Sequence, residues 1–340
     1  MEKDTEIINF KPHPLILGGH LQTIIGYYLP GPRQLVADKI HRVQVSDGDR
    51  LAVCENRPGQ ELAVRGGILF MHGLGGQASS PYMLRLAKLF KDRGWVTFRM
   101  NHRGCGEGVG LARNLYHSGR SDDVSQVLKH IAKLAPNLPL IAVGFSLSGN
   151  TLLKLLGEQN LPIPDNLCSA MAVSPPIELS RCAAALCLQR NRIYDIRFVR
   201  LLKQSIKERQ LHFPDFPSFR FPWNMTVRQF DEICTAPLNN FKSAEDYYSK
   251  CSAKQFLSGI SIPTVLIASD DDPFIPEESF AAVPENHYLK LHLTHSGGHM
   301  GFVCANKTPL GNHRWMDYAV LTISERLIKR NRILDDKAMK

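Results

Sequence analysis

The sequence predicts an α/β fold: a mostly parallel central sheet flanked by helices, with an inserted helical cap. Three observations carry that expectation. Short apolar runs bounded by glycine or proline alternate with amphipathic stretches of helical length. The alternation lapses over residues 176–254, which read as mostly helical. Strand signals then resume ahead of a terminal amphipathic segment. Strands alternating with helices imply parallel strands covered on both faces.

Gly66–His72 (GGILFMH) is the first strong strand signal. Ser80–Gly94 has helical apolar spacing, with Ser80 as cap, Pro81 in the first turn and Gly94 at the exit. Trp95–Asn101 is a second strand and Ser121–Pro136 a second helix with acids in its first turn. The run 139–145 (PLIAVGF) is a third strand, followed by a helix over Leu147–Gln159 and a fourth strand over Cys168–Ser174. After the helical stretch, Pro263–Ser269 and Tyr288–His295 are strands and Arg314–Arg330 the closing helix. Residues 1–175 and 255–340 are therefore expected to form one discontinuous core, with 1–40 as a packing segment. Residues 176–254 would be a cap or lid. Ligands in such sheets bind beyond the carboxyl ends of the strands, so an insertion leaving from those ends would roof the site.

Composition narrows the class. Apolar residues make up 44% of 340, enough for a large core. The formal charge of +9 favours acidic partners or anionic surfaces. Eight cysteines show no CxxC pair, which argues against a structural zinc site and for reduced thiols. MEKDTEIINF lacks the apolar core of a signal peptide. The apolar stretch Leu15–Pro30 is broken by His20 and Gln22, short of a spanning helix, though suited to brief docking on lipid. A soluble, cytoplasmic protein is expected.

The chemistry concentrates at GFSLS, Gly144–Ser148. A serine between strand and helix, flanked by small residues, is the nucleophile-elbow pattern G-x-S-x-G, with Ser148 in place of the second glycine. A helix-capping serine is the structural alternative. Ser148 is a poorer nucleophile candidate, because it would lie inside the helix. Serine needs a base and an orienting acid, in the order serine, acid, histidine on this scaffold. PTVLIASDDDPFIPEE places Asp270, Asp271 and Asp272 directly after a strand. Asp272, held between prolines, is the preferred acid and Asp271 the second. His299 follows in THSGGHMGF, on a glycine loop able to drop its ring between acid and serine. The expected triad is Ser146, Asp272 and His299. The turn MHGLGG after the first strong strand supplies an oxyanion site, its donors being the N–H groups of Leu74 and Leu147. No cofactor is implied. A metal on His292, His295 and His299 is disfavoured: the first two leave opposite faces of a strand, with no acidic or thiol ligand near. HGLGG lacks the ending of a phosphate loop.

Taken together, HLQT (His20–Thr23), DGD (Asp47–Asp49), HGLGG, NHRGC (Asn101–Cys105), YHSG (Tyr116–Gly119), GFSLSGN, VRQFD (Val227–Asp231), DYYSKCS (Asp246–Ser252), DDPF and GGHMGF resemble the α/β-hydrolase superfamily, in its YheT-like serine hydrolase branch. The resemblance covers nearly the whole chain. It implies a carboxylesterase with the triad named above, in a family whose eukaryotic relatives act on acylglycerols or phospholipids and carry a membrane helix. Arg103 and His117 are expected to fix loops rather than touch substrate. A thioesterase or amidase would use the same apparatus, and a silent hydrolase fold would bind without turnover. Residues 181–220 hold nine Lys/Arg against three Asp/Glu among several phenylalanines. That suits a small-molecule or lipid-like ester and transient contact with a membrane surface; no motif suggests nucleic acid.

Overall fold

The computed structural model describes residues 9–281 and 283–338. The residues 1–8 read against a signal peptide lie outside that range. Eight strands form one sheet: β1 Lys39–Gln44, β2 Arg50–Asn56, β3 Gly66–Met71, β4 Trp95–Met100, β5 Leu140–Phe145, β6 Leu167–Val173, β7 Thr264–Ser269 and β8 Leu289–Thr294. Their order is β1-β2-β4-β3-β5-β6-β7-β8. β2 runs antiparallel to both β1 and β4, and every other pairing is parallel.

The helices are α1 Gly18–Tyr28, α2 Pro81–Lys91, α3 Ser121–Leu134, α4 Leu147–Glu158, α5 Leu179–Leu186, α6 Arg192–His212, α7 Val227–Phe230, α8 Ala236–Leu238, α9 Ala244–Cys251 and α10 Trp315–Ala338. A π-helical turn, Asp231–Thr235, joins α7 to α8. Among the described residues, none of these helices is long and apolar enough to cross a membrane. Between β6 and β7 the chain is helical or irregular throughout.

Strand alternation divides the core. Leu69, Met71, Ala142 and Leu266 face one side, packing with Val127 of α3 and Leu152 of α4. Ile68, Phe70, Val143 and Val265 face the other, packing with Phe90 of α2 and Val320 of α10. Both faces of each central strand are therefore buried, as a parallel sheet under two helical layers requires.

Three details differ from the sequence reading. β1 and β2 form a hairpin from the end of the expected packing segment 1–40 onward, where the sequence reading named no element. Their signal, alternation around the turn at Asp47–Gly48, is diluted by the charged residues of an edge strand. Ser80 sits at the start of α2, but its hydroxyl accepts the Gln77 N–H (3.0 Å) instead of capping the helix. The last helix continues to Ala338, past Arg330.

Candidate active site

The carboxyl ends of β3, β5, β7 and β8 converge, and each delivers one part of the site. At the end of β5 the chain turns abruptly into α4. Ser146 occupies this corner with φ 50° and ψ −120°, a strained conformation for a non-glycine residue. Its N–H is anchored to Val173 O of β6 (2.8 Å). The corner is tight because strand and helix nearly touch. A Cβ on Gly144 would lie 2.4 Å from Ser148 O, and one on Gly149 would lie 2.9 Å from Pro175 Cβ. Glycine is required at both positions.

Ser146 Oγ donates to His299 Nε2 (2.9 Å), and His299 Nδ1 donates to Asp272 Oδ2 (2.7 Å). The Asp272 side chain is almost wholly buried. Its other oxygen accepts the N–H groups of Phe274 and Ile275 (both 3.1 Å), so the turn after β7 fixes the carboxylate. Phe274 then packs on the imidazole, with ring centroids 4.2 Å apart.

The neighbouring acids have different partners. Asp271 accepts Gly298 N–H (2.8 Å) and Ser296 O–H (2.8 Å), which holds the histidine loop. Asp270 accepts Ser296 N–H (2.8 Å) and pairs with the exposed His295 (2.7 Å). All three acids tie the β7 turn to the β8 turn.

α1 braces that loop from outside. A Cβ on Gly19 would meet Asp271 O at 1.7 Å, and one on Gly26 would meet Gly301 Cα at 2.6 Å. This contact lets Thr23 Oγ1 accept the His299 N–H (2.8 Å) and Gln22 accept the Val303 N–H (2.7 Å). The role of HLQT in seating the histidine had no local signal in the sequence.

The loop after β3 closes over the serine. A Cβ on Gly73 would come within 3.0 Å of Ser146 Cβ. Its amides are largely committed. Gly73 N–H donates to Tyr82 Oη (3.0 Å), Gly75 N–H to Tyr116 Oη (2.9 Å) and Gly76 N–H to Gly73 O (3.0 Å). The Leu74 N–H carries no such bond among the described residues. The Leu147 N–H, at the first position of α4, has no intrahelical acceptor. Leu74, Ser146 and Leu147 all line one cavity of about 100 Å³.

Ser148 does not reach that cavity: it is fully buried. Its hydroxyl donates to His72 O and accepts from His102 Nε2 (2.6 Å). His72 Nδ1 in turn donates to Gly73 O (2.8 Å), and its Nε2 accepts the His102 N–H (3.2 Å). Burial pushes both imidazoles down, His72 to about 4 and His102 well below its ordinary value. They are neutral hydrogen-bonding struts. The hydroxyl that replaces the elbow glycine thus ties α4 to the loops after β3 and β4.

Arg103 is also internal. It is fully buried and bound to Asp123 (2.7 and 2.6 Å), Asp47 (2.7 Å) and Asp49 (2.7 Å), so DGD and NHRGC meet in one structural ion cluster. His117 does line the cavity.

Much of the cavity wall is apolar, with Leu179 and Leu186 of α5, Phe198 and Leu202 of α6, and Phe274. Cys182 is a second nucleophile-bearing residue on it. Burial, then the Asp272 carboxylate, raise its pKa well above the ordinary value, leaving an unreactive thiol. The lining also holds the polar groups of Asp231, Thr235 and Tyr248. Asp231, in the π-helical turn, accepts O–H bonds from Thr235 (2.6 Å) and Tyr248 (2.7 Å). Burial raises its carboxyl from 3.8 to about 6 despite them. VRQFD and DYYSKCS therefore meet at one hydrogen bond, although only their joint presence was visible beforehand.

Residues 67–303 match the family model described as the alpha/beta hydrolase fold. The chain belongs to the α/β-hydrolase family. Within it, YheT of Escherichia coli is 30% identical over 287 residues, covering 81% of each chain. The phospholipase ABHD3 of Mus musculus is 27% identical over 248 residues, 72% of this chain and 60% of that one. The Pyrococcus furiosus esterase Pf2001 superposes with a TM-score of 0.57 at 15% identity, covering 89% of this chain and 98% of that one; it bears on fold alone. This α/β hydrolase places a serine, Ser148, two residues after Ser146.

Proposed function

We propose that this α/β hydrolase cleaves carboxylic (acyl) esters through an acyl-serine intermediate. The observation that carries the reading is the unbroken chain from Ser146 Oγ through His299 to Asp272, at 2.9 and 2.7 Å, set on a strained corner beside an apolar cavity. Ser146 Oγ attacks the carbonyl carbon as its proton passes to His299 Nε2. Asp272 stays ionised; it orients the ring and stabilises the imidazolium. The carbonyl oxygen, now negative, accepts the N–H groups of Leu74 and Leu147, aided by the positive amino end of α4. His299 returns the proton to the departing alkoxide. Water then attacks the acyl-serine by the same proton route, releasing the acid and restoring Ser146.

The acyl chain of a small-molecule or lipid-like ester fits the wall made by Leu179, Leu186, Phe198 and Leu202. Residues 176–254 serve in this reading as a cap, because they supply that wall from outside the sheet. The name of one relative, the phospholipase ABHD3, agrees with a lipid-like substrate. A cytoplasmic location agrees with the buried thiols of Cys54, Cys182, Cys234, Cys251 and Cys304, none of them in a disulfide. Hydrolysis of p-nitrophenyl esters from two to sixteen carbons tests the reading. Turnover lost in Ser146→Ala supports it, whereas no turnover at any chain length contradicts it.

A further inference from the structure

α1 has two unlike faces. Gly19, Gln22 and Gly26 are buried against the histidine loop. Leu17, Leu21, Ile24 and Tyr28 recur at helical spacing on the opposite side and are exposed, Leu17 to 74% and Tyr28 to 69%. The surface continues onto α6. Arg197 stacks over the Tyr27 ring (4.9 Å) and donates to its hydroxyl (2.9 Å), while His20 bonds Tyr194 (3.1 Å). On α6, Ile193 and Ile196 are exposed. Beyond them an open groove is lined by Ile196, Arg200, Lys203, Lys207, Phe221 and Trp223. Lys203 lies over Phe221 (5.1 Å), and Trp223 is 99% exposed.

The charge of this face is one-sided. Arg197, Arg200, Lys203 and Lys207 project from α6. Of its two acids, Asp195 is buried and bound to Arg192 and the Val227 N–H, and Glu208 accepts from Gln204. Apolar side chains beside unopposed cations fit an anionic lipid surface, whose hydrocarbon takes the first and whose phosphates take the second. A second copy of the chain fits poorly, because a two-fold contact would set the basic groove against itself. The face also adjoins the site. α1 accepts the His299 N–H through Thr23, and Tyr194 packs on Phe274 (5.3 Å), which packs on His299.

We propose that the joined outer faces of α1 and α6 dock the protein on an anionic membrane surface. Leu17, Leu21, Ile24, Tyr28 and Trp223 enter the interface, with the α6 cations on the headgroups. The proposal rests on the ester-cleaving reading only for what is taken from the membrane; docking itself is measured without turnover.

Trp95 and Trp315 are buried, so a vesicle-induced change in tryptophan emission reports on Trp223. Vesicles of phosphatidylcholine with about one third phosphatidylglycerol are expected to shift the emission to the blue and to sediment the protein. Pure phosphatidylcholine should bind at least about tenfold more weakly, and 0.5 M salt should reverse much of the effect. Leu17→Asp with Leu21→Asp, and separately Arg200→Glu with Lys203→Glu, should each reduce sedimentation at least about tenfold while leaving p-nitrophenyl acetate hydrolysis intact. Unchanged vesicle binding in both double variants would overturn the proposal. So would a wild type that hydrolyses p-nitrophenyl acetate but shows neither an emission shift nor sedimentation, which leaves the triad reading standing. A stable dimer that hides Trp223, or binding to an acidic polypeptide with none to vesicles, also overturns it.

Discussion

Ser148 Oγ lies 2.6 Å from His102 Nε2, and the two are locked by a further bond from the same hydroxyl to His72 O. The residue that departs from the usual elbow pattern is therefore the joint between the elbow and two loops. Removing the hydroxyl leaves the His102 Nε2–H only its longer contact with His72 O (3.2 Å), a loss of about 0.5–1.5 kcal/mol. Ser148→Ala should lower thermal stability by that amount and reduce kcat through a looser loop after β3. It should still label with a fluorophosphonate. Ser148→Gly should cost about a further 1 kcal/mol from helix propensity. Thermal denaturation and steady-state kinetics on the two variants check both statements; stability equal to wild type in both would remove the strut role.

The two leading acid candidates can be separated by rate. Asp272→Asn keeps a hydrogen-bonding side chain but disfavours the required tautomer of His299. It should lower kcat by about 10³–10⁴-fold with little change in KM. Asp271 touches the histidine loop through Gly298 and Ser296, and also accepts the O–H of Ser269 at the end of β7. Asp271→Asn should therefore act on stability first and on kcat far less. Kinetics on a p-nitrophenyl ester distinguish them, and the reverse ranking would reassign the acid.

Asp231 predicts a pH signature. Burial raises its carboxyl to about 6 in the folded protein from an ordinary 3.8. Stability contributed by its protonated form is complete below about pH 4 and lost as pH rises through 6. Asp231→Asn cannot lose it. The melting temperature of the variant, relative to wild type, should rise between pH 4.5 and 7.5 by about 2 °C or more. A flat difference across that range would mean that the carboxyl is not perturbed by burial.

Much of the sheet was readable because buried parallel strands are short unbroken apolar runs, as in GGILFM and LIAVGF. The β1–β2 hairpin escaped because KIHRVQ alternates exposed and buried residues at the edge. That Ser146, Asp272 and His299 would meet was suggested by chain order and turn chemistry: Ser146 follows β5 at once, and the other two stand in the turns after β7 and β8. Their bracing was not. Thr23 beneath His299, Tyr116 on the Gly75 amide and His102 on Ser148 are contacts between residues far apart in sequence. The Asp231–Tyr248 bond joins two helical segments between β6 and β7, and nothing in the local spacing of either one requires it.

The most direct test is labelling by a fluorophosphonate probe, which reacts only with an activated serine. Wild-type protein should be labelled on Ser146, Ser146→Ala should not be labelled, and His299→Ala should label at least about 10²-fold more slowly. Labelling that persists in Ser146→Ala at the wild-type rate, or at a different serine, would contradict the mechanism proposed here.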